Sequence, residues 1–211
     1  MRRNILVVTV VLTIGAVAGA TPASAGPVLP YHSRPMGTSY VGWTKMVGQW
    51  FLGDASNPLF AALDGDCGQV MDGVFFMAAP IDVGVELDCD VPVGTAIVLS
   101  HAGFFASEDA GQTDQELEDA AAAGFVTSTN ELTLDGKTLP LQPIVTGAYD
   151  VISEPGSFYD ATGAGTGSIR TALVANVVFL HPLTPGDHVI EGAVSFVGDG
   201  EFSATYNVHV G

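Results

Sequence analysis

Two periodicities divide the chain. Between Tyr40 and Leu52, the apolar side chains Trp43, Met46, Val47, Trp50 and Phe51 recur at the i, i+3, i+4, i+7, i+8 spacing of one helical face. This predicts an amphipathic helix, with Ser39 placed to cap its start. Gly42 and Gly48 interrupt it; they weaken the helix and point to close packing. From Gln69 onward the spacing shortens to apolar or alternating runs: VFFMAAP, TAIVLSHAG, ELTLDGKTLPL, PIVTGAYDVI, IRTALVANVVFL, DHVIEGAVSFV and EFSATYNVHV. Asp135-Gly136, Pro155-Gly156, Pro185-Gly186 and Gly198-Asp199-Gly200 supply turns between them. Short strands with regular turns predict an all-β fold, an antiparallel β-sandwich of jelly-roll or Ig-like type with two short helices. In the last run Phe202, Ala204, Tyr206, Val208 and Val210 share one face.

The second helix is acidic. Residues 108–119 hold six acids, Thr113 to Glu116 fits a capping box, Ala120 to Ala123 continue the helix and Gly124 stops it. Residues 163–168, GAGTGS, read as a Gly-rich loop. At the other end, Arg2 and Arg3 precede an apolar run from Ile5 to Val17, and Ala23-Ser24-Ala25 closes the segment. That is the pattern of a signal peptide over 1–25, cut after Ala25. The apolar run is shorter than the ~20 residues a membrane span needs, and no later stretch is long enough, so no integral membrane segment is expected after cleavage. Residues 26–38 read as an irregular leader and 39–211 as one β-sandwich domain. The expected location is extracellular.

Charge narrows the partners. The chain has 23 acidic and 6 basic residues, net −17 with His neutral, and loss of Arg2 and Arg3 with the signal peptide takes it to −19. Such a surface repels phosphate backbones, so no nucleic-acid partner is expected. Outside the cytoplasm, the two cysteines, Cys67 and Cys89, read as a disulfide. A metal or redox pair is the alternative, but no His stands nearby and there is no C-x-x-C.

Candidate chemistry is sparse. Asp64, Asp66 and Asp72 form the best local acidic cluster, a candidate calcium site without the EF-hand frame. None of the five histidines has metal-ligand spacing. His101 stands apart because it follows an apolar strand, TAIVLS, where a polar residue at the rim of a core strand can line a pocket. Phe158 and Tyr159 sit in a turn-rich stretch and are candidates for stacking on sugar rings, whereas Trp43 and Trp50 read as cover for the core. There is no G-x-S-x-G elbow, and no catalytic residue is assigned.

Trp43, Gln49-Trp50, Asn57-Pro58, Cys67, Gln69, Gly73-Val74-Phe75-Phe76 and Cys89-Asp90-Val91-Pro92-Val93-Gly94 carry a resemblance. So do Glu116-Leu117, Asp135-Gly136, Pro182-Leu183-x-Pro185-Gly186-x-His188 and Thr205-Tyr206. Together they look like a family of exported bacterial proteins with a tryptophan-rich helix, an NP turn and a cysteine pair. The resemblance implies export, one domain and the disulfide; it carries no activity and transfers no catalytic residue. It departs at His101, where an Asn-like residue is expected in relatives, which argues against a shared catalytic role there.

The functional expectation is an exported, non-catalytic binding or surface-interaction module, with cell-wall or other extracellular glycans, or a protein, as its partner. The alternatives are a secreted glycan hydrolase using paired carboxylates, and an acidic, envelope-associated structural protein.

Overall fold

The computed structural model describes residues 26–56, 67–78, 82–108, 111–197 and 200–211. The expected signal peptide, the Asn57-Pro58 turn, Asp64 and Asp66 lie outside the described residues.

Among the described residues, eleven strands make two sheets. The first, sheet A, contains β1 (Gly68–Met71), β2 (Val74–Met77), β4 (Ala96–Ser107), β7 (Pro143–Val145), β8 (Tyr149–Ser153) and β9 (Gly167–Leu180). Its order is β1-β2-β4-β9-β7, with β8 also on β9. The second, sheet B, has the order β3-β11-β10-β5-β6. Its strands are β3 (Val85–Val91), β5 (Thr127–Leu134), β6 (Lys137–Thr138), β10 (Gly186–Phe196) and β11 (Gly200–Val210). The layers are those of an all-β sandwich. Pairing is antiparallel except for β2 with β4 and β3 with β11, which are parallel. The chain crosses from β2 to β3 in the opposite sheet and back, so β2 and β4 run the same way.

Alternation drives the layering. Leu87, Leu132, Ile190, Tyr206 and Val208 from sheet B meet Phe75, Ile97, Leu99 and Val178 from sheet A in one buried cluster. Burying each such side chain stabilises the fold by roughly 1.5–3 kcal/mol. Cys67, just before β1, bonds Cys89 in β3 with Cα atoms 5.2 Å apart, so the disulfide joins the two layers. Asp135 and Gly136 take φ of +50° and +71°, the left-handed pair that a two-residue hairpin needs, between β5 and β6.

The outer faces differ. On sheet A lies helix α1 (Tyr40–Gly48), and Ser39 Oγ accepts from Gly42 N at its start. The helix widens into a π-turn over Gln49–Gly53 rather than continuing regularly. A Cβ on Gly48 would collide with the Tyr149 hydroxyl, so glycine is what lets the helix approach the sheet. Trp43 (2% exposed) and Trp50 (4%) press on Phe76, and Trp43 also on Phe179, with ring centroids 5.2–5.9 Å apart. We expect blue-shifted tryptophan emission that iodide quenches poorly; ready quenching would contradict this packing. On sheet B no helix lies over the outer face among the described residues, and Glu86, Asp88, Asp90, Glu131, Asp187 and Glu191 stand exposed along it.

Helix α2 (Asp114–Gly124) forms with the expected capping box: Thr113 N donates to Glu116 Oε2 and Glu116 N to Thr113 Oγ1. Its Leu117 and Ala121 seat on Ala172 and Val174 of β9. A third helix, α3 (Phe158–Ala161), occupies the stretch read as turn-rich; Ser157 caps it. The leader is held by backbone bonds to β9 and beyond, Leu29 N to Phe179 O and His181 N to Pro27 O. No helix among the described residues is long and apolar enough to cross a membrane.

A candidate ligand-binding cleft

The site grows from one irregularity in β4. This strand has twelve residues, but β2 pairs only with Ala96–Leu99. On its other side the register with β9 shifts between Ser100 and Ala102. His101 is the extra residue of that bulge: it continues the inward face of Ile97 and Leu99, and the bulge brings Ala102 to the same face beside it. The ring turns inward, toward β10, where a Cβ on Gly192 would stand 2.8 Å from Cε1 and Nδ1. Glycine at 192 therefore makes room for the imidazole.

A polar layer results inside the sandwich. Along the inner face of β9, Ala172 and Val174 belong to the α2 cluster, and Val178 and Leu180 to the main core. Asn176 lies between them, opposite Ala102. His101 is 4% exposed and Asn176 0%. His101 Nε2, Asn130 Oδ1 and both amide atoms of Asn176 are buried without a hydrogen-bond partner. Unmet buried polar groups cost stability, so they mark places where something other than packing is at work. Burial pushes the His101 pKa down to about 4, against weaker opposing pulls from the Ala193 backbone and the Asn130 side chain. The imidazole is therefore neutral near pH 7. It offers hydrogen bonding there, not a charge.

Beside it opens a cleft of about 230 Å³. Phe51 and Leu52 of the π-turn, Phe105 of β4, Phe158 of α3, Val194 and Phe196 of β10 and Phe202 of β11 line it. Phe105 and Phe158 meet edge to face at 5.7 Å, and Phe196 and Phe202 at 6.2 Å, so the walls are interlocked rings. Ser100 and His101 are the polar side chains among its described lining, which includes no charged residue.

Of the residues singled out in the sequence, His101 and Phe158 come together here. Tyr159 does not. It is 1% exposed and bonds Thr171 Oγ1 through its hydroxyl at 2.8 Å, so its ring is not available to stack on a sugar from solvent. The Ser157 cap and the short helix turn it inward, a correction to the exposed position expected from its turn-rich surroundings. Asp72 sits exposed in the β1–β2 turn with φ +49°. It flanks an open hollow with Lys45, Asp54 and Asp150, and no group of three metal-ligating side chains occurs among the described residues. Phe51 and Phe202 entered the sequence reading only as members of a helical and a strand face, and Phe196 was not singled out, because only the fold brings these elements together.

His188 has the look of a triad with Asp135 and Thr184, and its geometry says otherwise. Its Nδ1 lies 2.9 Å from Asp135 Oδ2 and its Nε2 2.8 Å from the Thr184 carbonyl. Both ring nitrogens thus face acceptors, which favours imidazolium and leaves no lone pair to take a proton. The Asp135 hydrogen bond, then the Thr184 carbonyl, raise the His188 pKa, and His188 in turn lowers that of Asp135. The raised His188 contributes stability that is full below its ordinary pKa of about 6.5 and is lost as pH rises through the higher folded value. Asp135 contributes above about pH 4, and its part is lost as pH falls through its lowered folded value. The clamp is strongest between these limits. His188→Asn should flatten the fall in melting temperature between pH 6 and 9, by an amount worth under about 1 kcal/mol given the half-exposed carboxylate. An unchanged slope would refute the clamp.

No family model matches the chain, and no curated protein matches it. Among solved structures, the cysteine protease inhibitor EhICP2 from Entamoeba histolytica is similar at 16% identity, covering 62% of this chain and 88% of that one, with TM-score 0.24. Amebosin is similar at 10% identity, covering 61% and 98%, with TM-score 0.17. Likenesses this distant carry no argument about function.

Proposed function

We propose that this is an exported, non-catalytic binding module whose ligand enters the cleft beside His101. One observation carries the reading: the described lining combines interlocked apolar rings with a neutral, buried imidazole and no charged group. Such a lining holds a molecule without supplying an acid, a strong base or an electrophile. The hydrolase alternative draws no support from the described carboxylates, since none of them lines the cleft or is buried. A glycan reading loses Tyr159 as a stacking platform, since its ring is buried, and keeps Phe158, which lines the cleft.

The test is binding of an environment-sensitive apolar dye such as anilinonaphthalene sulfonamide. It should bind one per chain with enhanced emission. Val194→Phe and Ser100→Leu, each filling the cleft from a different strand, should weaken it at least tenfold while the melting temperature shows a folded protein. Undiminished binding in both folded variants would place the dye elsewhere and sink the proposal.

A further inference from the structure

Building on that reading, we propose that the cleft takes a short extended peptide of a partner protein, which adds as a strand to the open edge of β4, lays consecutive apolar side chains against the two aromatic walls and carries basic residues on either side. An unpaired edge, two apolar walls and the charge around them each contribute to this assignment.

The edge comes from unequal strand lengths. β2 pairs with Ala96–Leu99 alone, while β9 runs beside β4 as far as Ser107. Beyond Leu99, no strand among the described residues lies along the other side of β4. Antiparallel pairing fixes which backbone groups look that way, because hydrogen-bonded and non-hydrogen-bonded pairs alternate. Glu108 N donates to Arg170 O, across to β9, whereas Leu173 O accepts from Thr146 N on the far side of β9. Gly103 and Phe105, opposite Ala175 and Leu173, therefore turn their N–H and C=O groups to the open side. Neither makes a backbone hydrogen bond there among the described residues. Both line the cleft, and Gly103 is exposed. Glycine within a strand marks a place where another backbone can approach closely. Two donor–acceptor sets roughly 7 Å apart along the strand match the repeat of a second extended backbone. No hydrocarbon ligand offers that repeat.

The walls set the side chains. An added strand points successive residues to opposite faces. Toward the helix layer they would meet Phe51, Leu52 and Phe158, and toward sheet B they would meet Val194, Phe196 and Phe202. Both walls are apolar, so the peptide presents a continuous apolar run rather than an alternating one.

Charge sets the flanks. Asp54, Glu108, Asp160 and Glu201 each stand within three residues of a lining residue, in a chain of net charge −17. The bases as close in sequence are engaged elsewhere: Lys45 lies over the Tyr149 ring, and Arg170 pairs with Asp114 and Asp150. Lysine or arginine beside the apolar run would be drawn in, and an acidic peptide repelled.

The probe is the acetylated, amidated heptapeptide Lys-Thr-Val-Phe-Val-Thr-Lys. Calorimetry on the folded protein should show one bound per chain. N-methylating its third and fifth residues, or its fourth and sixth, removes equal numbers of donors from opposite edges of the extended peptide. One isomer should lose about tenfold or more in affinity, and the other should bind nearly as the parent does. Equal affinities for the two isomers would overturn the strand assignment. Replacing both lysines of the peptide by glutamate should weaken binding about tenfold at low salt and less at high salt. Unchanged affinity would overturn the charge assignment. Gly103→Pro deletes one edge donor on the open side, where proline is tolerated, and should weaken the parent peptide about fivefold or more. Undiminished binding in the folded variant would overturn the edge, and should the variant not fold, the two N-methyl isomers decide alone. A dimer that excess peptide does not dissociate would seat a second copy on the edge and overturn the partner assignment. If the apolar dye enters the cleft and the peptide does not, the peptide partner falls and the binding reading stands; if neither enters, both fall.

Discussion

Replacing Cys67 and Cys89 together by Ala should lower the unfolding free energy by about 2–5 kcal/mol. The sequence separation of 22 closes a loop whose chain-entropy contribution is roughly 3 kcal/mol. The bond also joins sheet A to β3, a strand at the edge of sheet B. β3 is held to its own sheet by the parallel pairing with β11, so the covalent link acts where sheet B meets solvent on one side. Ala is the cleaner replacement, since Ser would leave hydroxyls in a buried place. Denaturant melts of the reduced, oxidised and doubly substituted proteins would measure the effect. A midpoint that does not change on substitution would refute a stabilising bond, and thiols titrating in the oxidised, folded protein would refute the bond itself.

Gly192→Ala should destabilise by about 1–3 kcal/mol, and the loss should be relieved when His101 is also shortened to Ala. The added Cβ would stand 2.8 Å from two atoms of the imidazole, too close without a shift. The ring lies within the sandwich among Asn130, Asn176 and the β10 backbone. It is held from the β4 side by the bulge, so it has little freedom to retreat. The His101→Ala change removes the obstacle and leaves a cavity of its own. The informative quantity is therefore the coupling in the double-mutant cycle, expected at 1 kcal/mol or more. Additive effects would mean that the ring moves aside freely, and that glycine at 192 is not there to admit it.

How far the sequence reveals this molecule depends on the range of each signal. The Ser39 and Thr113 caps, the Asp135-Gly136 hairpin and the alternation from Phe202 to Val210 are local, and all appear in the structure. Cys67 and Cys89 could be paired because no other cysteine competes. Strand order could not be read, because period-two alternation tells which side chains face inward but not which strand lies alongside. The parallel neighbours β2 and β4 illustrate this, separated in the chain by a strand of the other sheet. His101 was visible as a polar residue after an apolar run. Its inward direction follows the alternation of Ile97 and Leu99, but the bulge that sets Ala102 inward beside it was not legible, because a bulge adds one residue without changing composition. Tyr159 misled for the opposite reason: Pro155-Gly156 signals a turn, while the Ser157 cap that winds the next four residues into a helix, with Tyr159 on its buried side, is a weaker mark. The cleft itself is assembled from six separate elements, α1 with its π-turn, β4, α3, β9, β10 and β11, so no window of sequence contains it.

The unequal outer faces have a consequence for how the molecule lies at an interface. Sheet B turns a field of carboxylates outward, and sheet A is roofed by the tryptophan helix. Within about 10 Å of a positively charged support at ordinary salt, the carboxylate field sets the approach. The protein should adsorb with one preferred side down, and Glu86, Asp88, Asp90, Asp187 and Glu191 should contact the support. None of these residues lines the cleft. An oriented layer of this protein on a cationic bead would keep its aromatic cavity free of the contact, and would release from the bead as salt is raised.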